Sequence, residues 1–299
     1  VTLRHYTDIT DLAPGELELL VDIARRPSLP RVLGGRGAAL IFEKPSNRTR
    51  HSTEMAVVQL GGHPVYTRGE EVGLGVREPV VDVVRVMGGY HAVLAARVFD
   101  HGVITEMARH SPVPVVNMLS DWSHPLQALA DVLAMTEVHG SLAGRTVAYV
   151  GDWNNVSRSL AEACVLLGAD VSVGCPEGYD ASPAELARIS ALGPGSVRQS
   201  VDPAEAVRGA IAVHTDTWVS MGQEAEKAER VAVFGGYTVT AALMASADPA
   251  AGFYHCLPAY RGYEVAPEVI DGPQSHVVLQ AHRRLDAARA VLAFLMGVR

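Results

Sequence analysis

"R-T-V-A-Y-V-G-D-W-N-N", Arg145 to Asn155, carries an apolar strand into a tight turn. A helical pattern follows from about Val156 to Leu167, capped by Gly168, and a second apolar run, Ala169 to Gly174, completes a βαβ unit. A dinucleotide at that turn needs G-x-G-x-x-G so that backbone can approach the pyrophosphate, and Trp153 and Asn154 put bulk in the way. The unit opens a doubly wound domain and lacks the glycines of a nicotinamide enzyme. Its asparagines, at the carboxyl end of a strand, suit the polar end of a small substrate.

The same alternation runs through the rest of the chain. Gly37 to Phe42 reads as a buried strand, and a helix from about Thr49 to Leu60 is stopped by Gly61-Gly62. Ala92 to Ala96 and Val113 to Asn117 read as further strands. Ser123 is then the expected N-cap of a helix with Pro125 in its first turn, running to about His139. Strand ends are expected at Ala210 to Thr215 and Gly252 to Cys256. The last helix, about Arg284 to Gly297, spaces Leu285, Ala288, Val291, Leu292 and Leu295 on one face. The pattern predicts an α/β chain with two doubly wound parallel-sheet domains. V-H-G-S-L-A-G-R (Val138–Arg145) has no apolar periodicity, so the expected division is 1–139, 140–280, and a C-terminal helix, 281–299, returning to the first domain.

The 299 residues include 25 Lys and Arg against 33 Asp and Glu, a net charge of −8. That balance argues against nucleic-acid binding by bulk charge but leaves room for a local anion pocket. The three cysteines, Cys164, Cys175 and Cys256, show no metal-type spacing, which fits a reducing, cytoplasmic compartment. No apolar run reaches membrane-span length, and V-T-L-R-H-Y-T-D at the start lacks the form of a signal peptide. The expectation is a cytoplasmic protein with neither nucleic-acid nor membrane partner.

Chemistry concentrates where strands hand over to helices. F-E-K-P-S-N-R-T-R-H-S (Phe42–Ser52) crowds Ser46, Asn47, Arg48 and Thr49 at such a turn, where unpaired N–H groups and a partial positive charge favour an anion. The same residues would equally serve as a plain helix cap. In S-D-W-S-H-P-L-Q (Ser120–Gln127), His124 and Gln127 lie three apart, so they face one way and could together polarise a carbonyl, or simply start a helix. H-T-D-T-W-V-S-M-G-Q-E (His214–Glu224) and Y-H-C-L-P-A-Y (Tyr254–Tyr260) each follow an apolar strand, the usual place for ligand groups in an open sheet. There Asp216 suits an ammonium group or a turn, and Cys256 suits a reacting centre or buried filling.

Taken in order, these motifs resemble the aspartate/ornithine carbamoyltransferase family, and within it the ornithine branch, over essentially the whole chain. The family's S-T-R-T-R stands here as Ser46–Arg50, its H-P-x-Q as His124–Gln127, and a lone arginine after the third strand as Arg97. D-x-W-x-S-M-G (Asp216–Gly222) and H-C-L-P (His255–Pro258) mark the ornithine branch, and the G-D-x-N-N turn (Gly151–Asn155) matches as well.

The resemblance implies transfer of a carbamoyl group from carbamoyl phosphate to the δ-amine of L-ornithine, giving citrulline and phosphate in arginine biosynthesis. It implies no metal or organic cofactor, and a homotrimer with sites near subunit interfaces. Ser46, Arg48, Thr49 and the Asn47 backbone would hold phosphate, and Arg97, His124, Gln127 and Arg284 would bind carbamoyl phosphate. Cys256 and Leu257 would line the reacting centre, and Asn155, Asp216, Ser220 and Met221 would hold ornithine. Arg97, His124, Cys256 and Arg284 are the implied catalytic set. Cys256 would orient or deprotonate the amine, as a thiolate in an electropositive pocket.

The chain departs from the family at several places: Asn47 for Thr, Gly73 for a loop glutamine that reaches a neighbouring subunit, with Arg77 as a substitute, Trp153 for a small residue, and His282-Arg283-Arg284 for E-N-R. Such changes suit either an ornithine enzyme or a relative acting on another amino acid or amine. A catalytically silent regulatory homologue is the third reading, opposed by retention of Arg48, Arg97, His124 and Cys256.

Overall fold

The computed structural model describes residues 3–219 and 224–299. The chain divides into two compact units, Val1–Ala130 with Arg283–Arg299, and Asp131–His282.

In the first unit β1 (Gly37–Phe42), β2 (His63–Arg68), β3 (His91–Arg97) and β4 (Val115–Leu119) form an all-parallel sheet in the order β2-β1-β3-β4. In the second, β5 (Thr146–Val150), β6 (Asp170–Gly174), β7 (Val197–Ser200), β8 (Ala212–Thr215) and β9 (Gly252–His255) are parallel in the order β7-β6-β5-β8-β9. Both are doubly wound, as the sequence predicts. Central strands such as β1 and β3 are buried nearly end to end, because helices cover both faces of a parallel sheet.

Each unit has its own core. Ala39, Ile41, Val84, Leu94, Ile104 and Met107 pack in the first, and Ala148, Val213, Trp218, Phe234, Phe253 and Val265 in the second. Trp218 stacks on Phe234 with ring centroids 5.8 Å apart, so the tryptophan of D-x-W is core.

The sequence reading passed over β2 and β7. Their residues, H-P-V-Y-T-R and V-R-Q-S, are half polar because both are edge strands with one side open to solvent. The strand expected at Val113–Asn117 is observed two residues later, since Pro114 has no N–H to give the ladder. Helix boundaries shift also: the second helix is Asn47–Gln59, and the last begins at Val277, not near Arg284. Ser123 is not the N-cap expected. The Ala128 N–H reaches the His124 carbonyl, which makes His124 the cap and Pro125 the first helical residue. The Ser123 carbonyl instead accepts from Ser120 N–H and from the Asn117 amide.

Among the described residues, no helix is long and apolar enough to cross a membrane.

Candidate active site

Sheet order explains where the functional side chains collect. In the first unit the winding reverses between β1 and β3, and the carboxyl ends of strands at such a reversal are where open α/β sheets bind ligands. The turn after β1 carries Ser46 to Thr49, Arg97 ends β3, and the turn after β4 delivers His124.

Thr49 is the hub of this group. Its buried hydroxyl accepts from Arg284 Nη2 at 2.7 Å, from Arg97 Nη1 at 3.5 Å and from the Ser46 hydroxyl at 3.0 Å. Ser46 also caps the helix, its Oγ accepting the Thr49 N–H. Arg284 donates a further bond to the Gln127 side-chain oxygen. Glu43 steadies the end of β3: its N–H donates to the Arg97 carbonyl, and its carboxylate accepts the Phe99 N–H at 2.9 Å. Arg48 sits half-buried in the first helical turn and forms no ion pair among the described residues, while Asn47 is exposed.

His124 is buried, and its pKa is pushed well below the usual range, first by desolvation and then by the charges of Arg284 and Arg97. It is therefore a neutral imidazole, which can give one hydrogen bond to a carbonyl oxygen without carrying charge. Asn117, fully buried in β4, fixes the turn that leads to His124 by donating to Thr7 O at 2.9 Å, and to Ser120 Oγ and Ser123 O at 3.2 Å. Lys44, which the sequence reading left aside, stands 4.3 Å over the Phe99 ring, and burial followed by the Arg97 charge lowers its pKa.

The second unit repeats the logic with the opposite charge. Its reversal falls between β5 and β8, and the Thr215 hydroxyl donates to the Val150 carbonyl at 2.6 Å, tying the two strand ends together. Gly151 leaves β5 with φ 142, a backbone conformation open to glycine, and starts the turn. Asp216 follows β8 and is buried. Its carboxylate accepts from the Thr217 N–H at 2.8 Å, Cys256 Sγ at 3.1 Å and Asn154 Nδ2 at 3.4 Å. A sulfur that donates to a carboxylate does so as a thiol.

The side chain of Asn154, the residue before Asn155, faces Asp216. It also caps the helix Asn155–Leu166 by accepting from Val156 and Ser157 N–H. The signal was present in the sequence, since the first asparagine before a helix is its natural cap. Arg230 was missed. It donates to Asp152 at 2.8 Å and to the Trp218 carbonyl at 3.1 Å, joining the G-D-W-N-N turn to the segment after Asp216. Trp153 is half-buried, with its backbone N–H on the Tyr179 carbonyl. Ser220 and Met221 lie outside the described residues.

Around Cys256 the chain is tightly held. Leu257 has φ 59, uncommon for a residue with a branched side chain, and its N–H donates to His255 Nδ1 at 2.8 Å. That bond places the His255 proton on Nε2, which faces Glu264 at 3.2 Å. Asp216, His255 and Cys256 place potential metal-ligating atoms within 4.8 Å of one another. Both nitrogens of His255 already make hydrogen bonds, so a metal would have to displace one of them.

Gly73, where the family has a loop glutamine, ends the short helix Gly69–Val72 with φ 64. A Cβ there would lie 2.6 Å from the Cβ of Arg77, so a larger residue at this positive φ would be strained and would displace Arg77. Arg77 bonds the Glu71 carbonyl at 2.6 Å.

Family models agree with the geometry. Residues 4–137 match the carbamoyl-P binding domain, and residues 143–295 the Asp/Orn binding domain, of aspartate/ornithine carbamoyltransferase. Ornithine carbamoyltransferase from Thermus thermophilus is 47% identical over 98% of this chain and 97% of its own. That from Bacillus subtilis is 42% identical over 96% and 92%. Among solved structures, ornithine carbamoyltransferase from Pyrococcus furiosus superposes with a TM-score of 0.93 at 41% identity, covering 100% of both chains. An N-acetyl-L-ornithine transcarbamylase superposes with a TM-score of 0.86 at 29% identity, covering 98% of this chain and 100% of its own. Matched along nearly all of its length by models and relatives alike, the chain belongs to the aspartate/ornithine carbamoyltransferase family.

Proposed function

We propose that this protein transfers the carbamoyl group of carbamoyl phosphate to the δ-amine of L-ornithine, giving L-citrulline and phosphate. The observation that carries the reading is the group of Arg97, Arg284, Gln127 and neutral His124 around Thr49, in the unit that matches a carbamoyl-P binding domain. The relatives support ornithine as the acceptor, and one of them, from Pyrococcus furiosus, is named an anabolic enzyme. Citrulline formation is the corresponding step toward arginine.

The chemistry follows from the residues. Phosphate oxygens are held at the N-terminus of the helix Asn47–Gln59 by its N–H groups, Ser46, Arg48 and Thr49. Arg97, His124, Gln127 and Arg284 hold the carbamoyl end and oppose the negative charge that develops on its carbonyl oxygen. Asp216 and Asn154 receive the amino acid in the second unit, with Asn155, Ser220 and Met221 of the family motifs completing that set. The δ-amine, as the free base, attacks the carbonyl carbon, and its lone pair forms the new C–N bond. The C–O bond to phosphate breaks as the intermediate collapses, phosphate leaves with that electron pair, and the proton given up by the amine passes to the departing phosphate. The Cys256 thiol, bonded to Asp216, orients the amine and Leu257 lines the same segment; no covalent cysteine intermediate is required.

The proposal extends to a homotrimer in the cytoplasm. Exposed apolar side chains in the first unit, Met55, Val58, Val65, Val86 and Tyr90, support burial against further copies. Cysteines that form no disulfide among the described residues support a reducing compartment. A solution mass other than three chains would rule out the trimer.

The activity is tested by citrulline formation from carbamoyl phosphate and L-ornithine beside N-acetyl-L-ornithine, lysine, putrescine and aspartate. Saturable turnover selective for ornithine is expected. Turnover with another acceptor alone would move the assignment to a related carbamoyltransferase, and phosphate release with none of them would refute transferase activity.

A further inference from the structure

Gln280 lies in the first turn of the helix Val277–Leu295 and is buried. Its amide makes two bonds of opposite sense. Nε2 donates to Asp131 Oδ1 at 2.6 Å, and Oε1 accepts the backbone N–H of His255 at 2.8 Å. His255 ends β9 and directly precedes Cys256. Its N–H is buried, so losing the Gln280 acceptor would leave that donor without a partner.

We infer that Gln280 is a positioning residue for the amine half of the reaction: anchored on Asp131, its amide fixes the start of the H-C-L-P segment and thereby the thiol of Cys256 on Asp216. The inference rests on the transferase reading above. An amide is the group the place requires, since it must donate to a carboxyl oxygen on one side and accept an N–H on the other. Glutamate of the same shape keeps the acceptor but sets two carboxyl groups against each other, and these can coexist there by sharing one proton. Methionine keeps the volume and removes both bonds.

The test uses the full chain, wild type beside Gln280→Met and Gln280→Glu. Steady-state kinetics are read with both substrates, and alkylation of Cys256 by iodoacetamide is followed by mass spectrometry. Gln280→Met should raise the KM for ornithine about tenfold, leave the KM for carbamoyl phosphate unchanged, and speed alkylation by releasing the thiol from Asp216. Gln280→Glu should approach wild type at acidic pH and lose ornithine turnover as pH rises and the shared proton leaves. Unaltered ornithine kinetics and alkylation in Gln280→Met would overturn the inference. So would a Gln280→Glu defect that does not vary with pH, or an equal loss for both substrates accompanied by a lower Tm. If the wild type makes no citrulline, the transferase reading fails by itself, and the alkylation rates still decide the role of Gln280.

Discussion

The strand-end cluster of the first unit, which matches a carbamoyl-P binding domain, and that of the second, which matches an Asp/Orn binding domain, stand on the same scaffold, strand ends at a reversal of sheet winding, yet hold their charges in different ways. In the first unit two guanidinium groups converge on a neutral hydroxyl, Thr49, and on an amide, Gln127. Both of these acceptors are uncharged. In the second unit one carboxylate, Asp216, is held by a backbone N–H, a thiol and an amide, all uncharged donors. Its negative charge remains available to an ammonium group. The lesson is that neutral partners orient a charged side chain without consuming its charge, whereas an ion pair would do both.

Exchange of roles between the halves would break this comparison. The largest effect is expected from Arg48→Ala, with kcat/KM falling on the order of 10²–10³-fold, as for loss of a charged group that stabilises the transition state. Asp216→Asn should follow, raising the KM for ornithine about 50-fold through loss of one charge pair while carbamoyl phosphate kinetics hold. Near-normal turnover in the arginine variant, or a carbamoyl phosphate defect in the aspartate variant, would contradict the division of labour.

A smaller effect sharpens it. Each unit buries a neutral histidine, His124 in the first and His214 in the second. Burial, followed by the nearby His255 and His139, carries the His214 pKa down to about 3 from 6.5. The unfolded chain takes up a proton at this residue as pH falls below about 6.5, and the folded chain does not until about 3. The stability tied to neutral His214 is complete above that window and lost progressively as pH falls through it. At pH 5.5 the loss is about 1.4 kcal/mol. His214→Gln should remove that dependence in denaturant titrations at pH 7.5 and 5.5, leaving the share due to His124. An unchanged pH slope would mean that His214 is not held neutral.

Much of the candidate site was legible because its residues are local in sequence. S-N-R-T-R and H-P-L-Q each fit within one turn, and a strand-to-helix turn has the same N–H groups wherever it occurs. Asn154 is legible as the cap that precedes a helix, whereas its bond to Asp216 is not, because the two lie far apart in the chain. Arg230 and Gln280 were not legible: each acts on residues far away in the chain, and an arginine or glutamine in a helix is by itself indistinguishable from a solvated one.

The sequence by itself determined the alternation of strands and helices, the parallel sheets and the turns that carry the functional residues. Those depend on short-range periodicity and on the fixed chemistry of helix starts. Only the tertiary structure decided the edge strands β2 and β7, whose polar residues give no apolar signal. It also brought Arg284 onto Thr49, set Cys256 against the Asp216 carboxylate, and gave Gln280 its two partners. Each of these pairs residues that meet only once the sheets have formed, so no spacing along the chain encodes them.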